Sequence, residues 1–172
     1  MVPINNSTIF HSFTYGDLSF LDVCEKLLEF YNKYRHTCNS IEITIGSDSQ
    51  NKTDTKMVTV IVIYAEGKGG ISFNLSEHVP LIESLREKLE VETGRSLLVA
   101  TTLISLLENS IRYHDMYIDC PISIHADVGN SNKSKTKDLV NFVVGWVRAT
   151  GFNCTIKPDS YASSSVADKI SK

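Results

Sequence analysis

The run Ile41-Glu-Ile-Thr-Ile-Gly-Ser-Asp-Ser-Gln50 constrains the fold of this chain more than any other segment. Its β-branched residues alternate with small or polar ones, which is typical of a strand, and Asp48 stands where the strand pattern stops. A second run, residues 121–129, repeats the arrangement and places Asp127 directly before a glycine turn. We therefore expect both carboxylates at strand ends, facing outward, where they could share one metal site.

The composition predicts one globular domain over residues 1–172. With 42% hydrophobic and 22% charged side chains, the chain has enough apolar material for one ordinary core. Its four cysteines are far apart and form no CxxC pair, so neither a zinc ribbon nor a disulfide framework is indicated. The chain shows no secretory signal pattern and no apolar stretch long enough for a bilayer, so we expect a cytoplasmic protein without membrane contact.

The charges are divided unevenly along the chain. The net charge of -3 argues against indiscriminate coating of nucleic acid, but residues 120–172 hold seven Lys or Arg against four Asp, a local charge of +3. We expect a polyanion to be bound by this C-terminal third.

The hydrophobic periodicity predicts an extra N-terminal helix at about 17–36, with Asp17 as its N-cap. Three strands on short connections then predict an antiparallel meander over residues 41–47, 57–64 and 69–75.

The remaining segments alternate between helix and strand. Further strands are predicted at 121–127 and 152–156, and helices at 80–114, 134–150 and 162–171. The fold class is therefore α/β, a mixed five-stranded sheet flanked by helices. We expect the first three strands to be antiparallel and the last two to run parallel to the first.

The long central helix contains one glutamate that differs from the others. Glu92 aligns with the apolar stripe of the helix, where a carboxylate is costly to desolvate unless it is paired or bound to metal. A break at Gly94 would change the phase between Glu92 and the residues after it. Asp159 and Asp168 are candidates for a fourth ligand; alternatively, Asp159 is a turn or capping residue and Asp168 pairs with Lys172.

The chain resembles the YkuK-type ribonuclease H-like proteins over most of its length. The matching segments are Ile45-Gly-Ser-Asp-Ser-Gln50, Leu85-Arg-Glu-Lys-Leu-Glu-Val-Glu-Thr93, His125-Ala-Asp-Val-Gly129, Asn132-Lys-Ser-Lys-Thr136, Gly151-Phe152, Ile156-Lys-Pro158 and Ala162-Ser-Ser164.

This resemblance implies a ribonuclease H-like fold in which Asp48, Glu92 and Asp127 hold two divalent cations, Mg²⁺ or Mn²⁺. A later acid, for which we take Asp168, would help to hold them. The family consists of predicted nucleases, so the resemblance implies hydrolysis of phosphodiester bonds in RNA, DNA or an RNA–DNA hybrid by a two-metal mechanism.

Further side chains could contact the substrate. His125 shares strand parity with Asp127, so it could protonate a leaving group or orient a ligand; a half-buried structural imidazole is the alternative. The segment after Asp127 carries spaced lysines that suit contacts with a nucleic-acid backbone, or form an ordinary exposed loop. The candidate phosphate-binding lysines are Lys133, Lys135, Lys137 and Lys157, with Lys169 a possible extension.

Two other functions stay open at this point. The chain could be a non-catalytic module that binds nucleic acid or protein, because a fold does not fix a function. Phosphoryl transfer on a nucleotide is a weaker alternative, because no Walker-type GxxxxGK[ST] loop is present.

Overall fold

The computed structural model of the protein describes residues 1–129 and 136–171, except for the side chain of Lys137. Within this part of the chain, one sheet has seven strands, in the order β2-β1-β5-β4-β3-β6-β7. The strands are β1 (Ile9–Ser12), β2 (Gly16–Ser19), β3 (Ile41–Asn51), β4 (Thr55–Ala65), β5 (Gly69–Val79), β6 (Ile122–Gly129) and β7 (Asn153–Lys157). The α-helices are α1 (Phe20–Tyr34), α2 (Leu85–Glu108), α3 (His114–Asp119), α4 (Val140–Ala149) and α5 (Asp168–Ser171).

The centre of the sheet is the predicted antiparallel meander. Strands β3, β4 and β5 each have 11 residues and pair along their whole length. Strand β6 runs parallel to β3 and β7 runs parallel to β6, which confirms the predicted mixture of directions.

The prediction of five strands is wrong, because residues 9–19 add a hairpin. Strands β1 and β2 pair antiparallel with each other, and β1 joins β5 through the pair His11 and Asn74. Each strand has only four residues, which is too short for a clear alternation, although Phe10 is fully buried.

Helix α1 begins three residues later than predicted. The N-cap is Ser19, whose Oγ accepts a hydrogen bond from the backbone N–H of Asp22 at 3.2 Å. The carboxylate of Asp22 in turn accepts from the N–H of Ser19 at 3.3 Å, which completes a capping box. Asp17 lies in β2 instead, where it pairs with His11 at 2.8 Å.

Helix α2 runs through Gly94 without a break and ends at Glu108, short of the predicted boundary at 114. A 3₁₀ turn, Ile111–Tyr113, then leads into α3. A Cβ atom at Gly94 would lie 3.3 Å from Cη2 of Trp146, so the glycine lets α4 approach α2 closely. Glu92 therefore keeps its helical phase with Ser96, and both side chains point towards β3.

The two faces of the sheet are covered differently. Helices α1 and α2 pack on one face over the main core, which includes Ile43, Ile45, Ile61, Ile63, Phe73, Leu103 and Leu107. We call residues 160–171 the C-terminal segment; it consists of a π-helix, Ala162–Ala167, followed by α5. It covers the other face, where Ala162 and Ala167 pack against β4. The two backbones come so close that a Cβ atom at Gly46 would lie 2.6 Å from the backbone nitrogen of Ser163.

The predicted ends of two strands are also wrong. Strand β3 continues beyond Asp48 to Asn51, because its polar residues pair with β4. Strand β6 likewise continues through Asp127 to Gly129. In the part of the chain that the structure describes, no helix combines the length and apolar character needed to cross a membrane.

Candidate functional site

The site lies where β3 and β6 stop pairing. Their last parallel pair is Gly46 and His125, so Asp48 and Asp127 both lie two residues further along their strands. Alternate side chains of a strand share a face, which places both carboxylates on the face covered by the C-terminal segment. Contacts of the neighbouring residues agree, because the Ala162 N–H donates to His125 Nδ1 at 3.2 Å.

Asp48 is held by the C-terminal segment. The carboxylate is 9% exposed, and its Oδ2 accepts a hydrogen bond from Ser171 Oγ at 2.6 Å. Burial raises the pKa of Asp48; the Ser171 hydrogen bond opposes this rise, and the charges of Asp127 and Asp168 add to it. These three carboxylates are therefore electrostatic neighbours.

Asp127 is compensated by a lysine. Its Oδ1 lies 2.8 Å from Lys157 Nζ, and the two side chains are 22% and 47% exposed. This oxygen is buried, yet no described residue donates a hydrogen bond of normal geometry to it. The ion pair with Lys157 is thus its main polar contact in the part of the chain that the structure describes.

Glu92 approaches β3 from the opposite face. Ser49, the neighbour of Asp48 in the strand, donates from its Oγ to Glu92 Oε1 at 2.7 Å. Glu92 is 6% exposed, and burial raises its pKa to about 8, against which the Ser49 hydrogen bond acts. The negative charges of Asp48 and Asp127 raise this pKa further, and the positive charge of Lys88 lowers it. Glu92 therefore interacts electrostatically with both aspartates, although it lies on the other face of β3.

The two candidates for a fourth acid occupy different positions. Asp168 begins α5, and its charge contributes to the raised pKa of Asp48. Asp159 is exposed in the turn after β7, where its N–H donates to the carbonyl of Ile156 at 3.0 Å. The structure therefore brings Asp168 towards Asp48, whereas Asp159 is a turn residue.

His125 lies on the expected face but is enclosed. It is 4% exposed, its Nδ1 accepts the N–H of Ala162, and its ring meets the Tyr161 ring edge-on at 4.6 Å. Burial lowers the pKa of His125 to about 4, so the ring is neutral at pH 7. These contacts make His125 an anchor for the C-terminal segment, and a direct role in proton transfer stays a prediction.

The lysines differ in what the structure shows of them. Lys133 and Lys135 lie outside the described residues, as does the side chain of Lys137, whereas Lys157 pairs with Asp127. Sequence reasoning missed Lys88, whose charge acts on both Asp48 and Glu92. Its position four residues before Glu92 on α2, hence on the same helix face, was the available signal.

The donor chemistry fits a hard divalent cation, because carboxylate oxygens are the ligands that Mg²⁺ and Mn²⁺ prefer. In residues 1–129 and 136–171, however, no three His, Cys, Asp or Glu side chains stand close enough together to hold a metal ion. The buried Asp127 Oδ1, without a hydrogen bond, is the donor best placed to accept a cation.

Comparison with known proteins agrees with this architecture. The family described as ribonuclease H-like matches residues 22–172. The chain is 32% identical to the "Uncharacterized protein YkuK" of Bacillus subtilis (strain 168) over 175 residues, which covers 97% of this chain and 99% of the relative. No solved structure matches the chain. The chain therefore belongs to the ribonuclease H-like family and, within it, to the YkuK type.

Proposed function

We propose that this protein is a metal-dependent nuclease that hydrolyses phosphodiester bonds in RNA, DNA or an RNA–DNA hybrid. The observation that carries the proposal is the placement of Asp48 and Asp127 on one face of two adjacent parallel strands, with the charge of Asp168 close to Asp48. Membership of the ribonuclease H-like family supports it. A cytoplasmic location is part of the same proposal.

In this proposal, Asp48, Asp127, Asp168 and Glu92 would hold Mg²⁺ or Mn²⁺. Bound cations would supply an activated water and stabilise the departing 3′ oxygen. The protein's own residues prepare the site: Ser49 orients Glu92 by its hydrogen bond, and the C-terminal segment carries Asp168 to the sheet.

Other side chains have supporting roles in the proposal. His125 positions the C-terminal segment and is kept as a candidate for proton transfer to the substrate. The phosphate-binding groups would be Lys133, Lys135, Lys137 and Lys157; the first three follow the Asp127 strand in the chain, and Lys157 contacts Asp127 itself.

The test is a cleavage assay with labelled single-stranded RNA, single-stranded DNA and a hybrid duplex, each in Mg²⁺ and in Mn²⁺. We expect cation-dependent cleavage that Asp48→Asn and Asp127→Asn each reduce by at least about 100-fold, because each removes a ligand charge. The matched control is Asp17→Asn, which makes the same change at an exposed residue of β2. Cleavage that persists in the Asp48→Asn, Asp127→Asn double variant would come from a contaminant and would refute the proposal.

A second candidate function is a non-catalytic module that binds nucleic acid or protein. The observation in its favour is that both acids already have a partner from the chain: Lys157 forms an ion pair with Asp127, and Ser171 donates a hydrogen bond to Asp48. This candidate predicts that the protein binds the labelled oligonucleotide and that no cleavage is lost on substitution of Asp48 or Asp127.

A further inference from the structure

The contact between Lys157 and Asp127 joins the proposed metal site to the proposed phosphate-binding surface. Lys157 Nζ stands 2.8 Å from Asp127 Oδ1, the buried oxygen to which no described residue donates a normal hydrogen bond. A buried carboxylate without a compensating charge is costly. The ammonium group therefore occupies a position where a metal cation would also be attracted.

The fold holds the backbone of Lys157 beside Asp127 but leaves its side chain able to move. Lys157 is the last residue of β7, where it pairs with Gly129 of β6, so its backbone is held beside the acidic strand. Its side chain remains 47% exposed, and a lysine stem can turn its ammonium group into solvent at little desolvation cost. A pair of this exposure is weak enough to be exchanged.

Lys88 provides a contrast. Its charge acts on Asp48 and Glu92, but it makes no ion pair within 4.0 Å with the residues that the structure describes. Lys157 is in direct contact with a ligand oxygen, so cation binding to that oxygen must displace it.

We infer that Lys157 is a built-in counter-ion that competes with the divalent cation for Asp127 and, once displaced, becomes available to a substrate phosphate. The inference rests on the proposed function, because it needs a cation at Asp127. It goes beyond that function by giving one lysine two successive partners. It also predicts that the cation and this phosphate contact promote each other, since filling the site frees the ammonium group.

The first test measures Mn²⁺ binding by calorimetry without nucleic acid. Lys157→Met keeps the apolar stem and removes the charge, so we expect it to bind Mn²⁺ about fivefold more tightly, equivalent to about 1 kcal/mol. Lys157→Arg should bind like the wild type. Lys68→Met is the matched control, because it makes the same change in the exposed turn between β4 and β5, at the opposite end of the sheet.

The second test measures oligonucleotide binding by fluorescence anisotropy, with EDTA and with Ca²⁺, which accepts the same oxygen ligands. Without a cation, Lys157 is held by Asp127, so Lys157→Met should lose only the long-range attraction of one charge and bind slightly more weakly than the wild type. With the cation, the variant should bind several-fold more weakly than the wild type. A loss of equal size in both conditions would show a constant phosphate contact and would overturn the inference.

The outcomes separate the inference from the proposed function. Equal Mn²⁺ affinity of Lys157→Met and wild type, or weaker binding by the variant, overturns the inference and leaves the nuclease proposal standing. Absence of Mn²⁺ binding in every variant overturns both. Thermal unfolding of each variant in EDTA confirms that the compared proteins are folded.

Discussion

The buried carboxyl group of Glu92 should make the stability of the metal-free protein fall as the pH rises. Its pKa is about 8 in the folded protein and 4.5 as an unperturbed group, so between these values the folded state holds a proton that the unfolded chain releases. Stability is then lost with increasing pH through this window. At pH 7, 2.5 units above the unfolded value, the penalty amounts to about 3 kcal/mol at about 1.4 kcal/mol per unit.

Replacing Glu92 by Gln removes this titration while keeping the shape and an oxygen that can accept the hydrogen bond of Ser49. We expect Glu92→Gln to raise the free energy of unfolding by about 3 kcal/mol at pH 7 and by about 1 kcal/mol or less at pH 5. Urea unfolding followed by circular dichroism, in EDTA at pH 5, 6 and 7, measures the difference. Glu83→Gln is the control, because an exposed glutamate should change stability by less than about 0.5 kcal/mol.

The same experiment in saturating Mn²⁺ tests the role of Glu92 as a ligand. A cation must bind the ionised carboxylate, so it should stabilise the wild type more as the pH rises and should flatten the dependence on pH. The stability of Glu92→Gln should not show this pH-dependent gain from Mn²⁺. Parallel stability curves for wild type and Glu92→Gln in EDTA would refute the reasoning about burial, whatever the effect of Mn²⁺.

Other predictions concern the acids, a buried ion pair and a helix cap. Divalent cations should raise the melting temperature, and Asp48→Asn should abolish most of the gain; equal melting in EDTA and Mg²⁺ would contradict the metal site. Arg95→Met should destabilise the protein by about 3–5 kcal/mol in urea titrations, because Glu77, 2.6 Å away and 5% exposed, would lose its positively charged partner. Ser19→Ala should cost about 1 kcal/mol through loss of the α1 cap, and an unchanged unfolding midpoint would count against the capping role.

The parts of the fold with a strong period were predictable. The meander, α1 and the two parallel strands follow from regular alternation or helical spacing over many residues, and the structure confirms them. The hairpin of residues 9–19 was not predictable, because strands of four residues are too short to show a clear alternation of apolar and polar residues. The end of β3 was misplaced for a related reason: Ser49, Gln50 and Asn51 look like loop residues, and only pairing with β4 makes them strand.

The acids of the site were easier to find than their partners. Asp48 and Asp127 stand out because an acid follows a β-branched run. The partners Ser171 and Lys157 come from elements that meet these acids only in the folded chain, and single polar residues carry no periodic signal. Ser49, the hydrogen-bond partner of Glu92, is likewise a single polar residue that meets the helix only in the folded chain.

The backbone of β3 and that of the C-terminal segment can approach each other at Gly46 because glycine has no Cβ atom. A methyl group there would overlap the peptide nitrogen of Ser163, and neither backbone can yield as a side chain could. The C-terminal segment would have to lift, and it would take Asp168 and Ser171 away from Asp48. A chain can therefore retain all four carboxylates and still lose their arrangement through a substitution at a position that carries no functional group.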